Sequence, residues 1–186
     1  MGWIILAIVV IIIIAIISMY NGLVSARVKV DNAWSQIDVQ LQRRFDLIPN
    51  FVETVKGYAS HESETFEKIA QLRTSWASAG TVAEKAELDN QLSGALKTIM
   101  AVSESYPELK ANQNFSELSE ELRNTENKIS FSRQFYNDNV TMYNEKLQLF
   151  PSNIIANMFN FKPRELFAVE NNEARKNVKV DFGKNA

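Results

Sequence analysis

Two hydrophobic patterns follow one another at the start of the chain. From Ile4 to Ile17 every residue is Ile, Leu, Val or Ala, and no Asp, Glu, Lys, Arg or His occurs before Arg27. A helix apolar on every face has no water-exposed side and fits a lipid environment. Trp3 and Tyr20 bracket this run. A helix between them spans about 26 Å, close to the ~30 Å of a bilayer's hydrocarbon core. Both side chains suit the headgroup level. The stretch therefore reads as a single transmembrane anchor over residues 1–26, with the lipid bilayer as its partner and Trp3, Ile4, Ile17 and Tyr20 marking its ends. The competing reading is a signal peptide cleaved at the small-residue triplet Val24, Ser25, Ala26. The missing basic n-region and the length of the apolar run oppose it.

After Gly22 the pattern becomes one-sided. Val30, Trp34, Ile37, Leu41, Phe45, Ile48, Val52 and Val55 recur at steps of three or four, which draws one stripe on a helix. No proline interrupts the chain before Pro49, so the anchor runs on into this helix, and Pro49 is expected to kink it near Phe45 rather than restart it there. A shorter helix is expected from His61 to Ser78, with Phe66, Ile69, Arg73 and Trp76 on one face and Gly80 as its C-terminal glycine. Thr81 and Glu84 form a capping-box pattern. The helix it opens carries Leu88, Leu92, Ala95, Ile99, Val102 and Tyr106. Asn114 is the expected N-cap of the longest soluble helix, whose stripe runs from Leu118 to Phe150. Pro151 ends it, and Ser152 caps a further turn or two. Arg164 to Val169 are expected to pack back on the bundle. Val178, Val180 and Phe182 alternate in an otherwise polar tail. These elements predict an all-α fold: an antiparallel helical bundle of three long helices plus one or two short ones, continuous with the N-terminal transmembrane helix. The bundle occupies 27–170 and a loose tail 171–186.

Composition narrows the function. The chain has 186 residues, so about 160 follow the anchor, enough for one domain. Net charge is −2, which gives no electrostatic reason to bind nucleic acid. The absence of Cys and the single His61 exclude thiolate metal sites, cysteine nucleophiles and histidine clusters. There is no phosphate-cradling glycine loop. His61, Glu62 and Glu64 are better read as acidic residues favoured at a helix start than as metal ligands. No catalytic residue, cofactor site or metal site is assigned.

The residues themselves resemble a known family. Tyr20 to Val24, Arg27, Val30, Ala33, Trp34, Ile37 to Leu41, Arg43 to Asn50 and Val55 to Ala59 form a block similar to the LemA family. His61, Glu62, Glu108 to Leu122, Tyr143, Asn144, Phe150 to Asn153 and Phe161 to Glu165 extend it. The resemblance thins at Thr74 to Glu87 and after Asn171. It implies a bacterial protein with one N-terminal transmembrane helix and a helical bundle, and no established enzymatic activity or cofactor. It also implies an association of some members with membrane metalloproteases of the HtpX type, or with sensing or envelope quality control.

Two sets of residues stand out as candidate interaction sites. Asp38, Arg43, Arg44, Asp46 and Asn50 are the densest polar cluster beside the first stripe. One reading pairs Asp38 with Arg44 at the bundle edge or makes them a docking surface, and has Asn50 or Arg44 satisfy the carbonyl freed by Pro49. The plainer reading is a solvated helix flank. Ile154, Ile155, Met158, Phe159 and Phe161 are a large apolar load near the end. They either close the bundle or form an exposed patch for self-association, a partner or the membrane surface, with Lys162 and Arg164 beside them. The expected function is a non-enzymatic membrane-anchored scaffold that forms a homo-oligomer or docks a partner. The alternative is a ligand sensor or enzyme with a polar pocket inside the bundle, which requires Asp38, Arg44 or His61 to point inward. Arg27 and Lys29 follow the anchor, so the positive-inside rule places the bundle on the cytoplasmic face of a bacterial inner membrane. Cleavage at Ala26 would instead export it.

Overall fold

The structure, a computed structural model, describes residues 2–59 and 62–167. Among these residues there are six helices and no strand: α1 (Gly2–Lys56), α2 (Ser63–Ser78), α3 (Val82–Ser103), α4 (Pro107–Lys110), α5 (Gln113–Gln148) and α6 (Ser152–Met158). The expectation of an all-α bundle is met. His61 and the alternation at Val178, Val180 and Phe182 lie outside the described residues.

The apolar run and the first stripe form one helix of 55 residues, about 80 Å long. Gly22 and Pro49 both sit inside it without interrupting it. Its amino-terminal part buries nothing: Ile4 to Ala15 are exposed on every face. From Leu23 onward one face is buried, through Ala26, Val30, Ala33, Ile37, Leu41, Phe45, Ile48, Phe51 and Val55.

That face packs along α5, and the pairs run in opposite directions. Asp31 meets Arg164, which is itself bonded to Asn144 of α5, Trp34 meets Tyr136, Arg43 meets Glu121, and Phe51 meets Phe115. The two long helices are therefore antiparallel. α2 and α3 form a hairpin against the distal half of α1. Phe45 stacks on Trp76 of α2 with ring centroids 4.2 Å apart. The core runs lengthwise through the bundle, from Ala26 to Val55 on α1 and on to Ala59 just after it.

Several local expectations shift. α2 begins at Ser63, and Leu72 rather than Arg73 completes its buried face. Gly80 does not end α2 in a left-handed conformation, since no described glycine has positive φ. Its N–H donates to Glu84 Oε2 at 2.9 Å, so it serves the start of α3. The capping box is formed: Glu84 N–H donates to Thr81 Oγ1 and Thr81 N–H to Glu84 Oε2. These bonds to the backbone and hydroxyl of Thr81 and to Gly80 hold the Glu84 carboxyl below its ordinary range. α3 ends at Ser103, so Tyr106 lies outside it and precedes α4. The N-cap of α5 is Asn112, not Asn114. Its side chain accepts from Phe115 N–H at 3.1 Å and donates to Tyr58 Oη. Ser152 does not cap α6. Its hydroxyl is within bonding distance of the Lys146 and Leu149 carbonyls and ties α6 to the end of α5.

After α6 the chain reverses. Asn160 takes φ 55°, a left-handed conformation that Asn tolerates better than other side-chain-bearing residues. Phe161 N–H donates to Ala156 O and Asn160 N–H to Asn157 O, the paired bonds of a Schellman closure. Residues 161–167 then run as an extended strap back along α5, ending on the buried ring of Phe167.

Candidate functional site

The first candidate is polar and lies at the centre of the bundle. Arg44 is 3% exposed, although it was expected on a solvated flank. Its position explains this, because it falls between Leu41 and Ile48 on the buried face of α1. Its Nη1 donates to Asp89 Oδ1 of α3 at 2.6 Å, and Glu126 Oε2 of α5 lies 2.6 Å from the same nitrogen. One guanidinium thus joins all three long helices. The alternative, an Asp38–Arg44 pair, is not formed either. Asp38 instead accepts from Lys85 Nζ, which also lies over the rings of Trp34 and Trp76. Arg43 bonds Glu121 at 2.7 Å on the surface. Asp46 is exposed and accepts from Gln42. Asn50 is exposed and its backbone carbonyl accepts from Thr54, so its expected role at the Pro49 gap is not seen. Arg44 is likewise committed elsewhere.

Two carboxylates share one buried guanidinium. Burial raises the Asp89 carboxyl above its ordinary range. Arg44 opposes this, Glu126 adds to it, and Arg133 weakly opposes it. Attraction to Arg44 does not fully offset the lost hydration. Arg44 Nε and Ser119 Oγ are buried and have no hydrogen-bond partner. Both line a groove of about 780 Å³ between α3 and α5, along with Lys97, Arg123 and Glu126. Sequence reasoning missed Asp89, Glu126 and Ser119. The available signal was a charged residue in phase with an apolar stripe, as Asp89 is with Ala86 and Leu92.

The second candidate lies where α1 enters the bundle. Ile155, one of the candidate apolar patch residues, is 3% exposed. With Ala156 it packs on Leu23, flanked by Ile16, Met19 and Tyr20. Phe159 and Phe161 set their rings 4.8 and 5.8 Å from Tyr20, and Arg27 lies over Phe161. Phe161 is only part-exposed, whereas Ile154, Met158 and Phe159 are more than half exposed. The patch is thus divided. One side closes the bundle, and the other is open.

The strap is fastened by side chains imitating a strand. Asn144 exchanges two bonds of 2.9 Å with the backbone of Arg164, and Asn137 exchanges two with that of Phe167. Tyr143 donates to Lys162 O and Tyr136 to Glu165 O. Two helical turns on α5 advance about 10 Å, and so do three extended residues, so the spacings match. Burial raises both tyrosine hydroxyls above their ordinary range.

An all-α bundle on a fully exposed apolar helix, with its buried charges spent on one another, is the class of protein defined by this fold. A sequence model of the LemA family matches residues 33–182, and the chain belongs to that family. A Protein LemA of Metamycoplasma hominis is 28% identical over 137 residues, covering 73% of this chain and 63% of the relative. Magnetosome proteins MamQ 1 and MamQ 2 of Paramagnetospirillum magneticum are each 26% identical over 174 residues, covering 80% of this chain and 64% of theirs. The chain therefore spans under two thirds of the length of these curated relatives. None of these names denotes an enzyme.

Proposed function

We propose that this chain is a membrane-anchored, non-enzymatic helical scaffold that self-associates or docks a membrane partner. One observation carries the reading: residues Ile4 to Ala15 are apolar and exposed on every face, and the same helix continues into the bundle core. The helix is long and apolar enough to cross a membrane, with none of its most apolar window buried. Cleavage at Ala26 would cut inside a continuous helix and remove Leu23, on which α6 packs. This supports a retained anchor. The charges Arg44, Asp89, Lys85 and Asp38 serve to lock helices together, which suits a rigid platform.

By the positive-inside rule the bundle faces the cytoplasm. Protease shaving of spheroplasts carrying a C-terminal tag checks this side. A tag that survives until the membrane opens agrees with it, and immediate digestion contradicts it. A membrane metalloprotease of the HtpX type is the partner class that the family resemblance implies. Light scattering and co-purification of the full chain in several mild detergents test the scaffold. An oligomer or a retained partner is expected, and a clean monomer in all detergents would overturn it.

A second reading is favoured by Arg44 Nε and Ser119 Oγ, two buried unpartnered polar atoms in one groove. It makes the bundle a sensor for a small molecule offering a hydrogen-bond acceptor. Native mass spectrometry of the full chain should then find an adduct that Ser119→Ala loses. An adduct-free spectrum counts against it.

A further inference from the structure

α6 packs its inner face on Ile16, Met19 and Tyr20, which are the last turns of the apolar run. The helix is therefore at the same height along α1 as the end of the proposed span. Its outer face and the corner before it are apolar and open: Leu149 60%, Phe150 80%, Ile154 54% and Met158 61% exposed. These residues project beside the bundle at the level where Tyr20 meets the headgroups. The local charge is complementary to an anionic leaflet. From Lys146 to Arg164 the sequence contains no Asp or Glu; Lys146 and Lys162 are basic and exposed, while Arg164 is paired with Asp31.

We propose that α6 and the Leu149–Phe150 corner form a second membrane contact, an amphipathic foot lying in the headgroup layer of the leaflet on the bundle's side. The occupant of the open face is lipid. Apolar side chains over basic neighbours are the pattern of interfacial helices. The foot also fixes orientation. A single spanning helix leaves the bundle free to tilt and turn, and a contact offset from its axis removes that freedom. The strap supports the foot from above, because Tyr143 and Asn144 hold the chain immediately after it. The inference rests on the anchor reading.

The chain lacks cysteine, so single-cysteine variants can be labelled cleanly. Ile12→Cys, Ile154→Cys, Met158→Cys and Phe131→Cys are each labelled with an environment-sensitive fluorophore. The full chain is then reconstituted into phosphatidylcholine–phosphatidylglycerol vesicles. Phe131 is 75% exposed on α5, away from the foot, and reports the aqueous value. Labels at Ile154 and Met158 are expected to shift to the blue. They should lose most of their quenching by aqueous iodide and be quenched by a nitroxide lipid labelled near the headgroup. If both behave like the Phe131 label while the Ile12 label is in lipid, the foot is wrong and the anchor stands. An iodide-accessible Ile12 label overturns the anchor reading and the foot with it. Protection from iodide without lipid quenching means a second copy or a protein partner covers the face, which also overturns the proposal.

Discussion

The two halves of α1 contain the same kinds of side chain and treat them oppositely. Ile11 is 66% exposed and Ile37 is fully buried, yet both sit in the same unbroken helix. In the first half apolar residues occupy every face, so no packing against one partner could bury them all. In the second half they occupy one face, with polar residues elsewhere, and α5 buries that face. The difference shows that hydrophobicity alone does not specify a bundle. The angular distribution of apolar residues decides whether a helix is matched to lipid or to another helix.

The second half also holds a buried charge, which the first half never does. Arg44→Met should sharpen this contrast most. It leaves Asp89 buried opposite Glu126 without its bonded cation, at a cost of about 3–5 kcal/mol. Thermal unfolding of the detergent-solubilised chain would read it, and Asp89→Leu added to Arg44→Met should recover most of the loss. Next, Ile37→Ala should cost about 2–5 kcal/mol through the cavity it leaves. Ile11→Ala should leave the bundle's unfolding midpoint unchanged. Equal effects at the two positions would break the distinction between the halves.

Smaller effects concern how the ends are held. Asn144→Ala removes two bonds to the strap and should cost about 1–2 kcal/mol, with faster proteolysis after Phe161 as a second readout. Asp89 gives a pH signature. Its carboxyl is raised in the folded state, so its contribution to stability is full below the ordinary carboxylate range. That contribution declines as pH rises through the shifted value. Asp89→Asn should flatten this part of the stability profile relative to the unaltered chain, with Arg44, Glu126 and Arg133 still facing the site. Gly22→Ala is the mildest test. A Cβ there meets nothing within 4 Å, so the helix should gain up to about 1 kcal/mol. Loss of stability instead would mean that the junction between the halves bends.

Much of the architecture was legible because period and punctuation are local. The apolar run, the stripes on α1 and α5 and the Thr81–Glu84 cap needed only their own neighbourhoods. Pairings between helices were not legible. Asp38 and Arg44 are close in sequence, which suggests either a solvated flank or a pair, but their partners Lys85 and Asp89 come from α3. Asn112 rather than Asn114 caps α5, and Tyr58, distant in sequence, also holds it. The split of the apolar patch, with Ile155 inward and Ile154 outward, depends on where α6 lands against Leu23. The Tyr136–Asn137 and Tyr143–Asn144 repeat was readable as a spacing, but its meaning needed the strap.

In the proposed scaffold the first half of α1 remains attached and spans a bilayer. Alkaline carbonate extraction of membranes, followed by intact mass of the protein in the pellet, tests it most directly. The chain should stay in the pellet with residues before Ala26 still present. A chain released to the supernatant, or one whose mass begins after Ala26, would contradict it.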